Sequence, residues 1–436
     1  MKLSTRYIQQ QRIAGKLLLV MILATTLVGF GLSDFLWLSG GCALTALMML
    51  WRRTRRIQRI QCVIFAAVGF CALGWAYLIG YRNLPLLQLL TQNHLLISLL
   101  SAVSFLRLIT DTGQEKHESA APGLKAFFKT LAGLHLFAAM INLSALMIFG
   151  DRLARNGRLE RTTATSLQRS FALATLWSPF FAAMGTCLLY APGARLAELW
   201  MLSAPLCLFG FVFTFAEHRF RAGGGLESFE GFPVNFGALW VPSIMVVCVL
   251  ALHHVLPAVS VLVLVSALSI GVTTAVLTWR RSLSQALSTI RNFSSERLPD
   301  MYGELALFFS AGIMATGLAA LISQTSPTLD IGAFTPEVAV AVLAVLLVLA
   351  IAGVHALVSI VTASAILLPL DPEPALLAFV FLVTWSVGAT GGPMSGLNLA
   401  MQSRYRISAQ ECFSWNIGYS LAMFGAASVI ILAFFS

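Results

Sequence analysis

The chain has 436 residues, of which 58% are hydrophobic and 11% charged, with a mean hydropathy of +0.84 and a formal net charge of +10. No soluble fold of this size buries that much apolar surface, so the composition excludes a soluble enzyme or binding domain and predicts an all-α polytopic membrane protein. Nucleic acid is not the expected partner of the positive charge, because the basic residues fall at the ends of apolar runs, where they set topology in a lipid bilayer.

In chain order, the basic segment Met1–Lys16 is expected inside, followed by spans at about 17–33 and 35–51. The loop RRTRRIQR (Arg52–Arg59) is the strongest cytoplasmic marker. Spans at Cys62–Gly80 and about 84–109 lead to an inner polar loop, 110–124. Residues 124–151 are long enough to cross once, but a single crossing would put Arg152, Arg155, Arg158 and Arg161 outside. A re-entrant hairpin keeps them inside, and the charge rule prefers it. A broken span at about 165–190 follows, interrupted at Pro179, which removes a backbone donor. A span at about 199–216 returns to the inside, and the Gly-rich stretch 222–236 reads as a cytoplasmic linker.

The second half repeats the plan. Spans are expected at about 237–256, 258–278 and 302–322, with a cytoplasmic loop carrying Arg280, Arg281, Arg291 and Arg297. The apolar run 338–371 is too long for one span and reads as a second re-entrant hairpin, opening outward. A broken span at about 376–401, interrupted by GATGGPMSG (Gly388–Gly396), crosses inward, and a last span at about 413–435 exits. Only Arg82 and Arg195 then lie outside; the other 26 of the 28 Lys and Arg are inside or at inner span ends. The expectation is therefore about 11 transmembrane helices and two hairpins, N-terminus cytoplasmic and C-terminus outside. The segments are 1–34 (N-terminal segment and first span), 35–221 (first repeat), the linker 222–236 and 237–436 (second repeat). Five spans and one hairpin per half make the repeats inverted, which in secondary transporters puts the substrate near the midplane.

Two stretches carry the repeat. GLHLFAAMINLSALMIFGD (Gly133–Asp151) aligns without a gap on GVHALVSIVTASAILLPLD (Gly353–Asp371), pairing His135 with His355, Asn142 with Thr362 and Ser144 with Ser364. Downstream, Leu173, Thr175, Trp177 and Ser178 match Leu382, Thr384, Trp385 and Ser386 with a one-residue gap.

This pattern resembles the ion transporter superfamily, most nearly the divalent anion–sodium symporters. SIVTASAILLP (Ser359–Pro369) is similar to that family's hairpin-tip Ser-Asn-Thr segment. GGPMSGLNLA (Gly391–Ala400) is similar to its Pro-Pro-Asn loop, and LPDMYGELALFFSAG (Leu298–Gly312) to the start of a preceding span. The resemblance implies an elevator-type movement, a small carboxylate-like anion as substrate, no resident cofactor, a possible homodimer and symport with an ion. At the tip positions this chain has Ser359-Ile360-Val361 and Ala139-Met140-Ile141. Any sodium is accordingly expected near Asn142 and Thr362, a few residues later.

An anion carrier needs neutral donors and half-helix N-termini at its centre. Asn142, Ser144, Ser178, Ser359, Thr362, Ser364, Thr390, Ser395 and Asn398 are the expected substrate ligands. His135 and His355 are the candidates for carrying a coupling proton. Arg169, at the inner start of the broken span, reads as an interfacial anchor or an attractor of anions. No carboxylate is expected at midmembrane, which favours an anionic or neutral substrate over a cation. A carrier of a lipid-linked or amphipathic substrate is the alternative; an integral-membrane enzyme is less favoured, because no carboxylate can join the two histidines. The seven cysteines form no CxxC pair, so neither a disulfide framework nor a metal site is expected.

Overall fold

The computed structural model describes residues 5–83, 85–110, 122–221, 226–232, 240–325 and 333–435. Most of the expected inner loop 110–124, and all but 226–232 of the expected linker 222–236, lie outside the described residues. Every named element is helical. In the first half these are α1 (Thr5–Gly29), α2 (Leu36–Leu50), α3 (Arg56–Leu78), α4 (Leu86–Thr91), α5 (His94–Val103), α6 (Arg107–Thr110), α7 (Leu124–Ile141), α8 (Leu143–Leu153), α9 (Arg161–Ala174), α10 (Ala182–Tyr190) and α11 (Leu196–Arg221). The second half adds α12 (Trp240–Val255), α13 (Val261–Arg280), α14 (Leu283–Glu296), α15 (Tyr302–Thr325), α16 (Pro336–Ile351), α17 (Ala356–Leu367), α18 (Pro374–Gly391), α19 (Gly396–Tyr405) and α20 (Ala409–Phe435). Among the described residues, ten helical stretches are long and apolar enough to cross a membrane, so the chain is a multi-pass, all-α membrane protein.

The chain divides into two compact units, and each takes one stretch from each half. One unit is Met1–Asp111 with Val241–Leu329; the other is Thr112–Trp240 with Asp330–Ser436.

In the first unit, α3 and α15 meet backbone to backbone. A Cβ on Gly317 would lie 1.9 Å from the Gly69 carbonyl oxygen, and one on Gly69 would lie 2.5 Å from the Ile313 oxygen. Small residues at such crossings substitute close van der Waals approach for the hydrophobic effect, which lipid removes. Gly317→Ala gains about 1 kcal/mol of helix propensity. It also forces two backbones apart, and overpacking of this kind costs about 1–3 kcal/mol. A backbone oxygen cannot rotate away, so the clash dominates: the variant should melt below the parent protein in mild detergent.

Polar ties complete this unit. The Thr25 and Ser39 hydroxyls share a buried hydrogen bond of 2.7 Å, Asn93 Nδ2 donates to the Phe308 carbonyl at 2.7 Å, and Arg53 pairs with Asp300 at 3.0 Å. The expected cytoplasmic loop after α13 is instead largely the helix α14. Its buried Ala286 and Ile290 recur at helical spacing, and its Ser294 carbonyl sits where a Cβ on Gly15 of α1 would fall.

The second unit holds both hairpins. The Phe137 and Phe149 ring centroids are 6.3 Å apart. Twelve residues of straight helix would separate them by about 18 Å, so α8 folds back along α7. The reversal is at Asn142, with φ 51° and ψ −135°. The second hairpin turns between Ile351 and Ala356, where Gly353 takes φ 96°, a conformation glycine adopts without the Cβ penalty. α17 then packs on α16 and α18.

Candidate functional site

Each hairpin tip rests on a helix break within the second unit. The first break, residues 175–181, separates α9 from α10 around Pro179. Asn142 Nδ2 reaches it by donating to the Phe180 carbonyl at 3.3 Å. Ser178 Oγ donates to the Ala139 carbonyl and accepts from the Phe180 N–H at 3.2 Å. The second break, residues 392–395, separates α18 from α19. A Cβ on Gly392 would lie 2.8 Å from the Ala350 oxygen, and one on Gly353 would lie 3.3 Å from Met394. Glycine is therefore required at 392 for the second tip to approach.

Among the contacts that join these modules, Ser386 Oγ donates to the Ala172 carbonyl at 2.8 Å, and Gln168 Nε2 donates to Asn398 Oδ1 at 2.8 Å. Asn398 holds the second break open. Its Nδ2 donates to the carbonyls of Thr390 and Gly392, both at 2.9 Å. Ser395 caps α19, accepting from the Asn398 N–H at 3.1 Å and donating to the Ala389 carbonyl at 2.7 Å. Backbone freed by a break must be satisfied in this way where lipid supplies no water.

These bonds sort the expected ligands. Ser178, Ser395 and Asn398 spend their side chains on unwound backbone. Ser364 Oγ donates to the Tyr190 carbonyl at the end of α10, and Thr390 Oγ1 bonds back to Val387 in its own helix. Asn142 Oδ1 and Ser359 Oγ are buried without a partner among the described residues. Ser144 is half-buried in the first turn of α8.

The gap-free match of the two hairpins does not survive in the fold. Asn142 is the first tip, but its counterpart Thr362 lies inside α17, as do Ser359 and Ser364. Gly353 ends the preceding helix early, so the second tip sits nine residues before Thr362 rather than at it. His135 is consequently in the middle of α7, whereas His355 is the N-cap of α17. Of the two residues near which any sodium is expected, Asn142 lies at its tip and Thr362 does not.

Partners define the state of both histidines. The Trp177 indole N–H donates to His135 Nε2 at 2.8 Å, and Nδ1 faces the Ser170 carbonyl at 3.2 Å. An indole only donates and a carbonyl only accepts, so the fitting tautomer is neutral with its proton on Nδ1. His355 Nδ1 accepts from the Leu357 N–H at 3.2 Å, which places its proton on Nε2. A second proton on either ring would set two donors face to face. Each histidine also packs on its repeat tryptophan, at centroid distances of 5.7 Å for His135–Trp177 and 5.8 Å for His355–Trp385.

Arg169 is neither an interfacial anchor nor exposed to a vestibule. Its side chain is 1% exposed and pairs with Glu217, itself 10% exposed, at 2.5 Å. Nε donates to Asn416 Oδ1 at 3.0 Å, Nη2 donates to the Trp415 carbonyl at 2.9 Å, and the guanidinium lies 4.7 Å from the Tyr419 ring centroid. Asn416 Nδ2 donates to Gln168 Oε1 at 3.1 Å. A continuous polar chain therefore runs from Glu217 through Arg169, Asn416 and Gln168 to Asn398 and the second break. Sequence reading missed Gln168, Asn416 and Glu217. Polar residues within apolar runs were the available signal for the first two.

At the basic end of the first hairpin, Arg404 forms a two-pronged pair with Asp151, at 2.6 and 2.5 Å, and Tyr405 adds a hydroxyl at 3.1 Å. The Arg404 guanidinium holds the Asp151 carboxyl below its usual range.

No protein-family model matches the chain, and no curated protein is significantly similar to it.

Proposed function

We infer that the protein is a secondary active transporter of a small, carboxylate-like organic anion, coupled to protons or sodium. The observation that carries this reading is the pairing of two hairpin tips with two helix breaks inside one compact unit. Such an arrangement brings the N-terminal ends of α8, α10, α17 and α19 to tips and breaks, where their N–H groups and positive dipole ends suit an anion without a buried net charge. Asn142 Oδ1 and Ser359 Oγ add polar atoms without partners among the described residues.

In this reading the chain has eleven spans and two re-entrant hairpins in inverted repeats, in the inner membrane with its N-terminus cytoplasmic and its C-terminus outside. The unit that holds the hairpins moves, and the other unit is the scaffold, with a homodimer as the working form. That both units are discontinuous, each drawing on both halves, is what two inverted repeats sharing one moving body require.

Purified protein in liposomes, offered labelled mono-, di- and tricarboxylates under proton or sodium gradients, should accumulate one class against its own gradient. Absence of flux in either direction for every anion, with transport only of a membrane-anchored ligand, would replace the small anion by a lipid-linked substrate.

A further inference from the structure

The Arg169–Glu217 pair is not explained by the hairpins and breaks. An ion pair that merely ties helices together gains little in a dry interior, because desolvation offsets the attraction and apolar side chains do the same work. This pair is nevertheless deeply enclosed, and it is one end of the polar chain that reaches the second break. Beside it, the Tyr419 hydroxyl is buried, in a residue 1% exposed, without a hydrogen-bond partner among the described residues. The second unit thus contains a fixed internal cation, a carboxylate neutralising it and, beside them, the unpartnered Tyr419 hydroxyl.

We propose that Arg169 is the counter-charge for the transported anion and that Glu217 is its internal stand-in, released from the guanidinium when it takes a proton. This rests on the anion-transport reading above. In the empty state the Glu217 carboxylate occupies Arg169 and the pair is neutral. In the loaded state a proton from water has joined the Glu217 carboxyl, the anion's carboxylate holds the guanidinium, and the site is again neutral. An incoming carboxylate is repelled from the guanidinium while Glu217 keeps its own negative charge there, so anion and proton enter together, one proton per negative charge held. Glu217 lies four residues before the end of α11, close to water at its basic end. The guanidinium fork matches anions that present two oxygens side by side, carboxylates among them.

Other ionisable groups lie about the pair: Arg161 of α9 and Tyr419 of α20 act on Arg169, and His218 and Arg219 follow Glu217 on α11. His218 is the one whose unperturbed range is near neutral; it bonds Thr165 at 3.3 Å and meets the Phe127 ring.

The test is thermal melting of the full chain in mild detergent with succinate or acetate, against chloride at equal ionic strength, at neutral and mildly acid pH. Succinate should raise the melting temperature of the parent protein by about 2 °C or more at acid pH and little at neutral pH. His218→Gln should behave like the parent. Glu217→Gln should respond equally at both pH values, and Arg169→Gln with Glu217→Gln should not respond. Anion stabilisation that persists in the double variant, or is missing from both the acidified parent and Glu217→Gln, overturns the proposal. Liposome flux separates the two levels. The binding pattern without flux of any anion overturns transport and keeps the site. Parent-like, proton-dependent flux in Glu217→Gln overturns the stand-in role and keeps the transporter.

Discussion

Arg169→Met should cost roughly 3–5 kcal/mol of stability, and adding Glu217→Gln should return most of it. The single substitution removes the guanidinium charge beside Glu217, whose side chain is only 10% exposed, and takes the Arg169 donors from Asn416 Oδ1 and the Trp415 carbonyl. The double variant removes both charges and leaves a neutral methionine and a neutral amide in their place. Denaturant unfolding of the four proteins in a double-mutant cycle gives the coupling directly. A single variant as stable as the parent, or a double variant no better than Arg169→Met, would show that the pair is not electrostatically enclosed as described.

Asn398→Ala should be nearly as costly and should abolish transport. The Asn398 amide group satisfies the Thr390 and Gly392 carbonyls and accepts from Gln168. Each buried group left unmatched costs about 1–3 kcal/mol, and three are left at once. Partial refilling by water or relaxation of α19 lowers the sum, so a loss of about 2–5 kcal/mol is expected. Asn398→Asp keeps the shape but turns a donor into an acceptor facing two carbonyls, and should be no better than alanine. Retained stability in Asn398→Asp, measured by thermal melting alongside anion flux, would mean that the break is held by α18 and α19 alone.

Much of the fold was legible in the sequence because bilayer thickness and basic residues act on composition alone. A reversal within 124–151 was expected from the arginines after it, and α7 and α8 do reverse at Asn142; α9 and α18 end near Pro179 and the glycines at Gly388–Gly396, as expected. The second tip was misplaced because the alignment used chemical similarity, pairing Asn142 with Thr362, whereas the turn is decided by backbone freedom at Gly353. α14 was missed because its short amphipathic pattern lies in a stretch dominated by arginine. The site was only half legible. Ser178, Ser395 and Asn398 do lie at or beside the helix breaks, but sequence cannot tell a serine that caps a helix from one left open for a ligand. Sequence also could not pair Arg169 with Glu217, 48 positions away, because proximity across helices leaves no local periodicity.

The discontinuity of both units also governs how the protein is made. Asn398 and Asn416, the partners of Gln168 in the second unit, lie 230 and 248 positions after it. At a synthesis rate of about 5–20 residues per second, that interval is roughly 10–50 s. For that time the newly inserted α9 carries Gln168 with neither amide partner, and Arg169 can meet only Glu217. The early pairing with Glu217 neutralises the one charge that the nascent helix could not hold alone, so α9 and α11 are suited to wait in the bilayer as a provisional pair until α19 and α20 arrive.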